Sequence, residues 1–217
     1  GLDIDGATRA GDQERFTAGA RIDGRIGGTR WDYDAEAAFQ FGDLGTADIS
    51  AWMASVTLGY KPCVECWDPK LAVGFDYASG DDNPADNSVG TFNQLFPLAH
   101  KYLGHADLIG RQNVVAARIE AHVKPAKKLT LSAWYHMFWR AEEAGAAYAV
   151  TGGVLRAPGG NTETAIGSEL DIMLKYKIDR HWLAFVEWAH FFTSDFLEGT
   201  GASDDVDVIY LSIQGTF

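Results

Sequence analysis

The sequence predicts an all-β fold, a transmembrane antiparallel β-barrel of the outer-membrane type, and three observations predict it. Segment after segment alternates apolar and polar residues with a period of two. Aromatic residues gather at segment ends, where an interfacial girdle would place them: Trp31, Trp52, Tyr60, Tyr77, Trp139, Tyr176 and Trp182. The connections between segments alternate between short and long, as turns on one rim and loops on the other would.

The first alternating segment, 16–26, sets Phe16, Ala18, Ala20, Ile22 and Ile26 against Thr17, Arg21, Asp23 and Arg25. In 31–41, Trp31, Tyr33, Ala35, Phe39 and Phe41 oppose Asp32, Asp34, Glu36 and Gln40. Trp52, Val56, Leu58 and Tyr60 then face away from Met53, Ser55 and Thr57, and Leu71, Val73, Phe75 and Tyr77 face away from Ala72, Gly74 and Asp76. After an irregular stretch the pattern resumes. Val115, Ala117, Ile119 and Val123 oppose Arg118, Glu120 and His122, and Leu131, Tyr135 and Trp139 oppose Ser132, His136 and Arg140. Further on, Leu170, Ile172, Leu174 and Tyr176 oppose Glu169, Asp171 and Lys175. Segment 182–192 is apolar on both faces except at Glu187 and His190, so its facing stays open. Ile209, Leu211, Ile213 and Phe217 close the series against Tyr210, Ser212 and Gln214. Most of these roughly nine segments approach the 9–11 residues a tilted strand needs to cross a bilayer.

Composition supports this class by exclusion. The chain has 217 residues, 47% of them hydrophobic, yet no run approaches the roughly 20 apolar residues of a spanning helix. A net charge of -12 with no basic stripe argues against a nucleic-acid partner. Residues 1–12 are polar and Gly-rich, without a secretory leader, so the sequence reads as mature or partial. A soluble sandwich or lipocalin-like barrel would carry its charge outside. The aromatic segment ends, and an apolar alternation running back from Phe217, favour lipid outside and charge inside.

Connections 27–30, 61–70, 124–128 and 179–180 form the short set, expected as periplasmic turns; 42–48, 79–112, 141–164 and 194–205 form the long set, expected as extracellular loops. The last strand then runs toward the periplasm, and 11–14 lies outside the cell. A strand arriving before it must fit within 1–9, where Leu2 and Ile4 alternate with Asp3 and Asp5. Since single-chain bacterial barrels have even strand numbers, the chain reads either as a compact barrel of about ten strands or as the C-terminal part of one with about 16–18; we expect the latter. Residues 1–217 are expected to form a single barrel domain bearing one long loop, 79–112.

That loop crowds Asp, Asn, Gly and Pro at its start, yet carries Phe92, Leu95, Phe96, Leu98, Tyr102 and Leu103, too much apolar surface for a solvated linker. Its motifs, Asp76-Tyr77-Ala78-Ser79-Gly80-Asp81, Gly90-Thr91-Phe92-Asn93-Gln94-Leu95-Phe96-Pro97, His100, Tyr102-Leu103-Gly104, Asp107 and Gly110-Arg111-Gln112-Asn113, resemble the alginate-export family of outer-membrane barrels. Tyr135-His136, Phe138 and Gly167-Ser168-Glu169-Leu170-Asp171 fit the same family. The resemblance implies a large barrel that passes an anionic uronate polysaccharide, or small anionic solutes, outward through a charged lumen. It also implies contact with lipid and lipopolysaccharide in the bacterial outer membrane, and with periplasmic export components.

Transport needs a wet, charged bore. Arg21, Arg25, Arg118, Arg140 and Lys175 are candidates for a cationic path, because guanidinium groups match carboxylates bidentately. Asp34, Glu36, Asp76, Glu120, His136, Glu169 and Asp171 share the expected lumenal face. The structural alternative is that these charges pair across neighbouring strands and stiffen the wall. Phe92, Asn93, Gln94, Phe96, His100 and Tyr102 are candidate gate residues if the loop caps the external mouth. Width matters too, since a barrel of about eight to ten strands is filled by its own side chains.

No cofactor is expected. Asp81, Asp82, Asp86 and Asp107 offer oxygen ligands for Ca²⁺ but lack EF-hand spacing, so a solvated acidic loop is favoured. Cys63-Val64-Glu65-Cys66 has neither a second ligand pair nor a thioredoxin-like context and reads as a structural or incidental pair, a local disulfide being one form it could take. Catalysis would have to draw on His100, His105, Asp107 and Ser79 or Ser88, with no nucleophile elbow or zinc signature. The competing readings are therefore a barrel enzyme with a site on the external loops, or a non-conducting structural barrel.

Overall fold

The computed structural model describes residues 11–62, 66–97 and 102–217. The chain runs β1 (Gln13–Arg25), β2 (Trp31–Leu44), β3 (Ala47–Tyr60), β4 (Lys70–Ala78), the short β5 (Ser88–Val89), β6 (Val114–Ala126) and β7 (Leu129–Trp139). A small hairpin follows, β8 (Ala147–Tyr148) and β9 (Val154–Arg156), then β10 (Ala165–Lys177), β11 (Trp182–Thr193), a single-turn helix α1 (Asp195–Thr200) and β12 (Val206–Gly215). Among the described residues every segment read as a strand from its alternation is a strand. The last one ends at Gly215, two residues short of Phe217.

The long strands form one sheet in the order β1-β2-β3-β4-β6-β7-β10-β11-β12, each antiparallel to its neighbour. Only β5 departs from this path, lying parallel to the start of β3. Among the described residues the sheet is open, with β1 and β12 at its two edges. The early strand expected within 1–9 and the Cys63–Cys66 pair fall outside, or partly outside, the described residues.

Burial is inverted relative to a water-soluble protein. Asp76, Arg118, His136, Glu169, Asp171 and Glu187 are buried, while Ile22, Val56, Val73, Phe75, Ile119, Ile209 and Leu211 stand about half exposed or more. Polar groups sit inside only where partners or water replace bulk solvent, and apolar faces turn outward only toward lipid. Two aromatic bands edge this outer face. At the short-turn rim Trp31 packs on Tyr60 at 4.7 Å, and Tyr176 and Trp182 stand at the same rim on β10 and β11; at the long-loop rim Trp52 stacks on Tyr77 at 4.4 Å and Phe16 on Phe41 at 5.6 Å. Strand β11, ambiguous in sequence, turns Glu187, Ala189 and Phe191 inward and Trp182, Val186 and Phe192 outward. One polar cluster interrupts the outer face near the long-loop rim: Asp207 accepts the Trp188 indole N–H and pairs with His190, both at 2.8 Å.

The sheet curls around its own loops. Segment 79–112 touches inward side chains from β2, through Gln40, to β12, through Tyr210. In the half of the bore nearest the long-loop rim, Phe92, Leu103 and Ile109 of this loop join Met53, Phe138 and Phe191 of the wall and Phe196 of α1 in an apolar core. The main loop therefore folds inward as a plug.

Candidate functional site

Below the plug the wall turns polar, because its inward positions there are charged. Arg21 on β1 reaches diagonally to Asp34 on β2 and grips both carboxylate oxygens, at 2.8 and 2.6 Å. Lys70 on β4 meets Asp32 at 2.7 Å. Asp76 is buried between two guanidinium groups, Arg118 Nη1 and Arg111 Nη2, each at 2.7 Å, and Arg118 Nε also binds Glu120 at 2.7 Å. A carboxylate so placed is stabilised, since two cations offset the desolvation that one carboxylate suffers. Gly74 makes the arrangement possible: a Cβ there would fall 2.5 Å from the Arg118 guanidinium carbon. The Tyr102 ring lies beneath both guanidiniums, 5.4 Å from Arg111 and 6.0 Å from Arg118.

Of these residues Asp32, Asp34, Lys70, Tyr102, Arg118 and Glu120 line a cavity of about 660 Å³. Arg25 and Lys175 line it, and among the described residues neither forms an ion pair; Lys175 rests 6.0 Å from the Phe185 ring. Both remain available to an anion. Glu36 lines the plug-side cavity, and His122 joins Ser132 at 2.9 Å and Glu120 at 3.3 Å.

The lower edge of the plug is a strap, 102–107, laid across β7, β10 and β11. Ala106 N–H donates to Glu169 Oε1 at 2.8 Å, and His105 Nδ1 contacts Glu187 Oε1. The His105 ring sits 4.3 Å from Trp134, and Tyr210 on β12 donates to Asp107 at 3.4 Å. Gly104 adopts φ +89°, and a Cβ there would lie 2.6 Å from both Glu169 carboxylate oxygens. His136 Nε2 stands 3.3 Å from Asp171, and all three carboxylates are fully buried beneath the strap.

The expected gate residues mostly fasten the plug. Phe92 is in its core. The Asn93 backbone exchanges two bonds with the buried Gln40 amide, donating to Oε1 at 2.8 Å and accepting from Nε2 at 2.6 Å. Gln94 donates to Val150 O at 2.6 Å and accepts Arg111 N–H at 2.9 Å. Phe96 is 91% exposed, and His100 lies outside the described residues.

Arg140, expected on the cationic path, is instead a buried clamp. Its Nη1 donates to Glu143 O and Gly145 O at 2.6 and 2.9 Å, and its Nη2 to Asn161 O and Glu163 O at 2.8 and 2.5 Å, over the Phe196 ring at 3.9 Å. It lies one residue past β7, where the chain leaves the wall, so its partners are loop carbonyls. Burial also lowers its pKa from the ordinary arginine value. The loop acids are engaged separately: Asp81 and Asp86 cap turns at Asn83 and Ser88, and Asp107 takes the tyrosine hydroxyl. Among the described residues no group of three or more His, Cys, Asp or Glu is placed to hold a metal. Ser79 Oγ donates to Gly90 O at the loop root, while His105 faces Glu187. Of the residues considered for catalysis, Ser79 and His105 are thus engaged in separate contacts. Gln40, Arg111 and the Gly104–Ala106 contacts escaped sequence reasoning; the clustering of the loop motif around Gly104 was the available signal.

An antiparallel wall with an apolar exterior, aromatic rims and a charged, plugged interior has the build of the wall of an outer-membrane β-barrel, here as an open sheet. The chain belongs to the alginate export family, whose model matches residues 3–210. No functionally curated protein matches the sequence significantly. Among solved structures it is similar to OmpT folded in vitro, an outer membrane protein of Vibrio cholerae, with 14% identity and a TM-score of 0.49 over 93% of this chain and 55% of that one. OmpT of Vibrio cholerae expressed in the outer membrane gives 13% identity and 0.48 over 90% and 53%. The chain thus spans about half the length of the solved structures it matches.

Proposed function

We propose that this chain forms part of the wall of an outer-membrane export conduit whose solute is anionic, either a uronate-type polysaccharide or small carboxylates. The observation that carries the reading is the 660 Å³ cavity below the plug, where Arg25 and Lys175 face the bore without ion-pair partners among the described residues. Guanidinium and ammonium groups left free in a hydrated bore attract carboxylates. The paired charges, Arg21–Asp34, Lys70–Asp32 and Arg118–Asp76, hold the wall in register beside them. A closed wall also requires the edges at β1 and β12 to be paired, since unpaired strand edges are not tolerated in lipid.

Single-channel recording of the intact protein in planar bilayers, with and without oligouronate, tests the proposal. The expected result is an ion-conducting pore that oligouronate blocks, with block weakened at least about tenfold, or about 1.4 kcal/mol, by Arg25→Gln with Lys175→Gln. A pore indifferent to oligouronate, or a barrel that does not conduct, would overturn it.

A further inference from the structure

The cavity below the plug is close to electrically balanced. Its cations are Arg25, Lys70, Arg118 and Lys175. Its anions are Asp23, Asp32, Asp34 and Glu120. Directly above this surface, on the same wall, lie Glu169, Asp171 and Glu187, a concentration of carboxyl groups whose ion pairs among the described residues include no arginine or lysine. What covers them is the strap: the Ala106 amide on Glu169, the His105 imidazole on Glu187 and the Gly104 backbone pressed against the Glu169 carboxylate. The three carboxylates are 0% exposed as a result.

We infer that strap 102–107 sets the ionic selectivity of the conduit by masking these three carboxylates, so that an anion passing below meets a balanced surface and not an acidic one. This rests on the export reading above and names the residues that make the bore compatible with its solute. The physical reason is focusing. A narrow channel with low-dielectric walls concentrates the field of its fixed charges, and uncovered carboxylates raise local cation concentration about tenfold or more while repelling anions. The strap answers this in three ways. It donates a backbone N–H to one carboxylate, sets an imidazole against another, and displaces water from all three. Glycine suits 104 because its φ of +89° strains other residues, and a Cβ there would also push the Glu169 carboxylate aside. The strap is therefore shaped to the carboxylates it covers.

Gly104→Val lifts the strap, and reversal potentials under a KCl gradient read the result in planar bilayers. Gly104→Val should raise the cation-over-anion permeability ratio by at least about threefold, a conservative share of the focusing gain. The same substitution in a Glu169→Gln, Asp171→Asn, Glu187→Gln background should leave the ratio within error of that background alone. His105→Ala, which keeps the strap backbone, should give a smaller shift of the same sign and guards against loss of folding in the valine variant. Carbodiimide coupling of an amine to Glu169 or Glu187, read by mass spectrometry, should appear in the variants and not in the parent. An unchanged ratio with increased coupling would overturn the inference while leaving the conduit intact. A parent protein that never conducts would instead overturn the export reading.

Discussion

Removing the Arg140 guanidinium is the most direct probe of what holds the plug. Arg140 is 2% exposed and joins two loops: Glu143 and Gly145 on one side, Asn161 and Glu163 on the other. Hydrogen bonds to a charged donor contribute about 1.5–3 kcal/mol each, so four of them sum to roughly 6–12 kcal/mol. Burying an arginine without a carboxylate partner costs several kcal/mol in return. The stack on Phe196 adds up to about 2 kcal/mol. Arg140→Met keeps the apolar packing but removes all four bonds, and a net loss of about 3–5 kcal/mol follows. Hydrogen exchange of the refolded barrel in detergent should show the amides of 141–146 and 161–164 deprotected while those of β6 and β7 are unchanged. Arg140→Lys should recover less than half of the loss, since an ammonium cannot fork to four carbonyls. Full protection of both loops in Arg140→Met would refute the clamp.

Three further outcomes are expected. Val56→Arg, on the outward face between Ala35 and Phe75, should destabilise the barrel in lipid vesicles by about 2–4 kcal/mol, while Glu36→Arg on the inward face costs less than about 1 kcal/mol; equal effects in urea titrations would contradict the assigned facing. Gln40→Ala should free 91–94 from the wall at a cost of about 2–3 kcal/mol, seen as new chymotrypsin cleavage at Phe92; an uncut loop would count against the staple. Asp179 caps its turn by accepting the His181 and Trp182 amides, and these bonds lower its carboxyl below the ordinary 3.8. Its contribution is present above that value and is lost as pH falls through the depressed one, so the two amides should exchange faster in strong acid, and an Asp179→Ala protein should show no such step.

The wall was legible because lipid and water impose a two-residue period on every strand that separates them. β11 blurred for a physical reason, its inward Phe191 packing on the plug and not on water. The plug itself was not legible. Segment 79–112 has no period, and what buries Phe92 and Leu103 comes from strands far away in sequence. Arg21 and Arg118 could be assigned to the inward face from alternation alone, and their cross-strand pairing was foreseen as the structural alternative. Arg140 fell in phase with the same face and was misassigned, because alternation carries no information about where a strand ends. Gln40 drew no notice as an uncharged residue among acids, though it holds the plug to β2.

The strap leaves the sheet between β4 and β6 but is fastened to staves that come much later, 63 residues on at Glu169 and 82 at Glu187. Closing spans of that length carries an entropic cost that is recovered only once the far anchors exist. The stopper therefore finds its anchors only once β10 and β11 are in place, and until then the wall it fills is hollow.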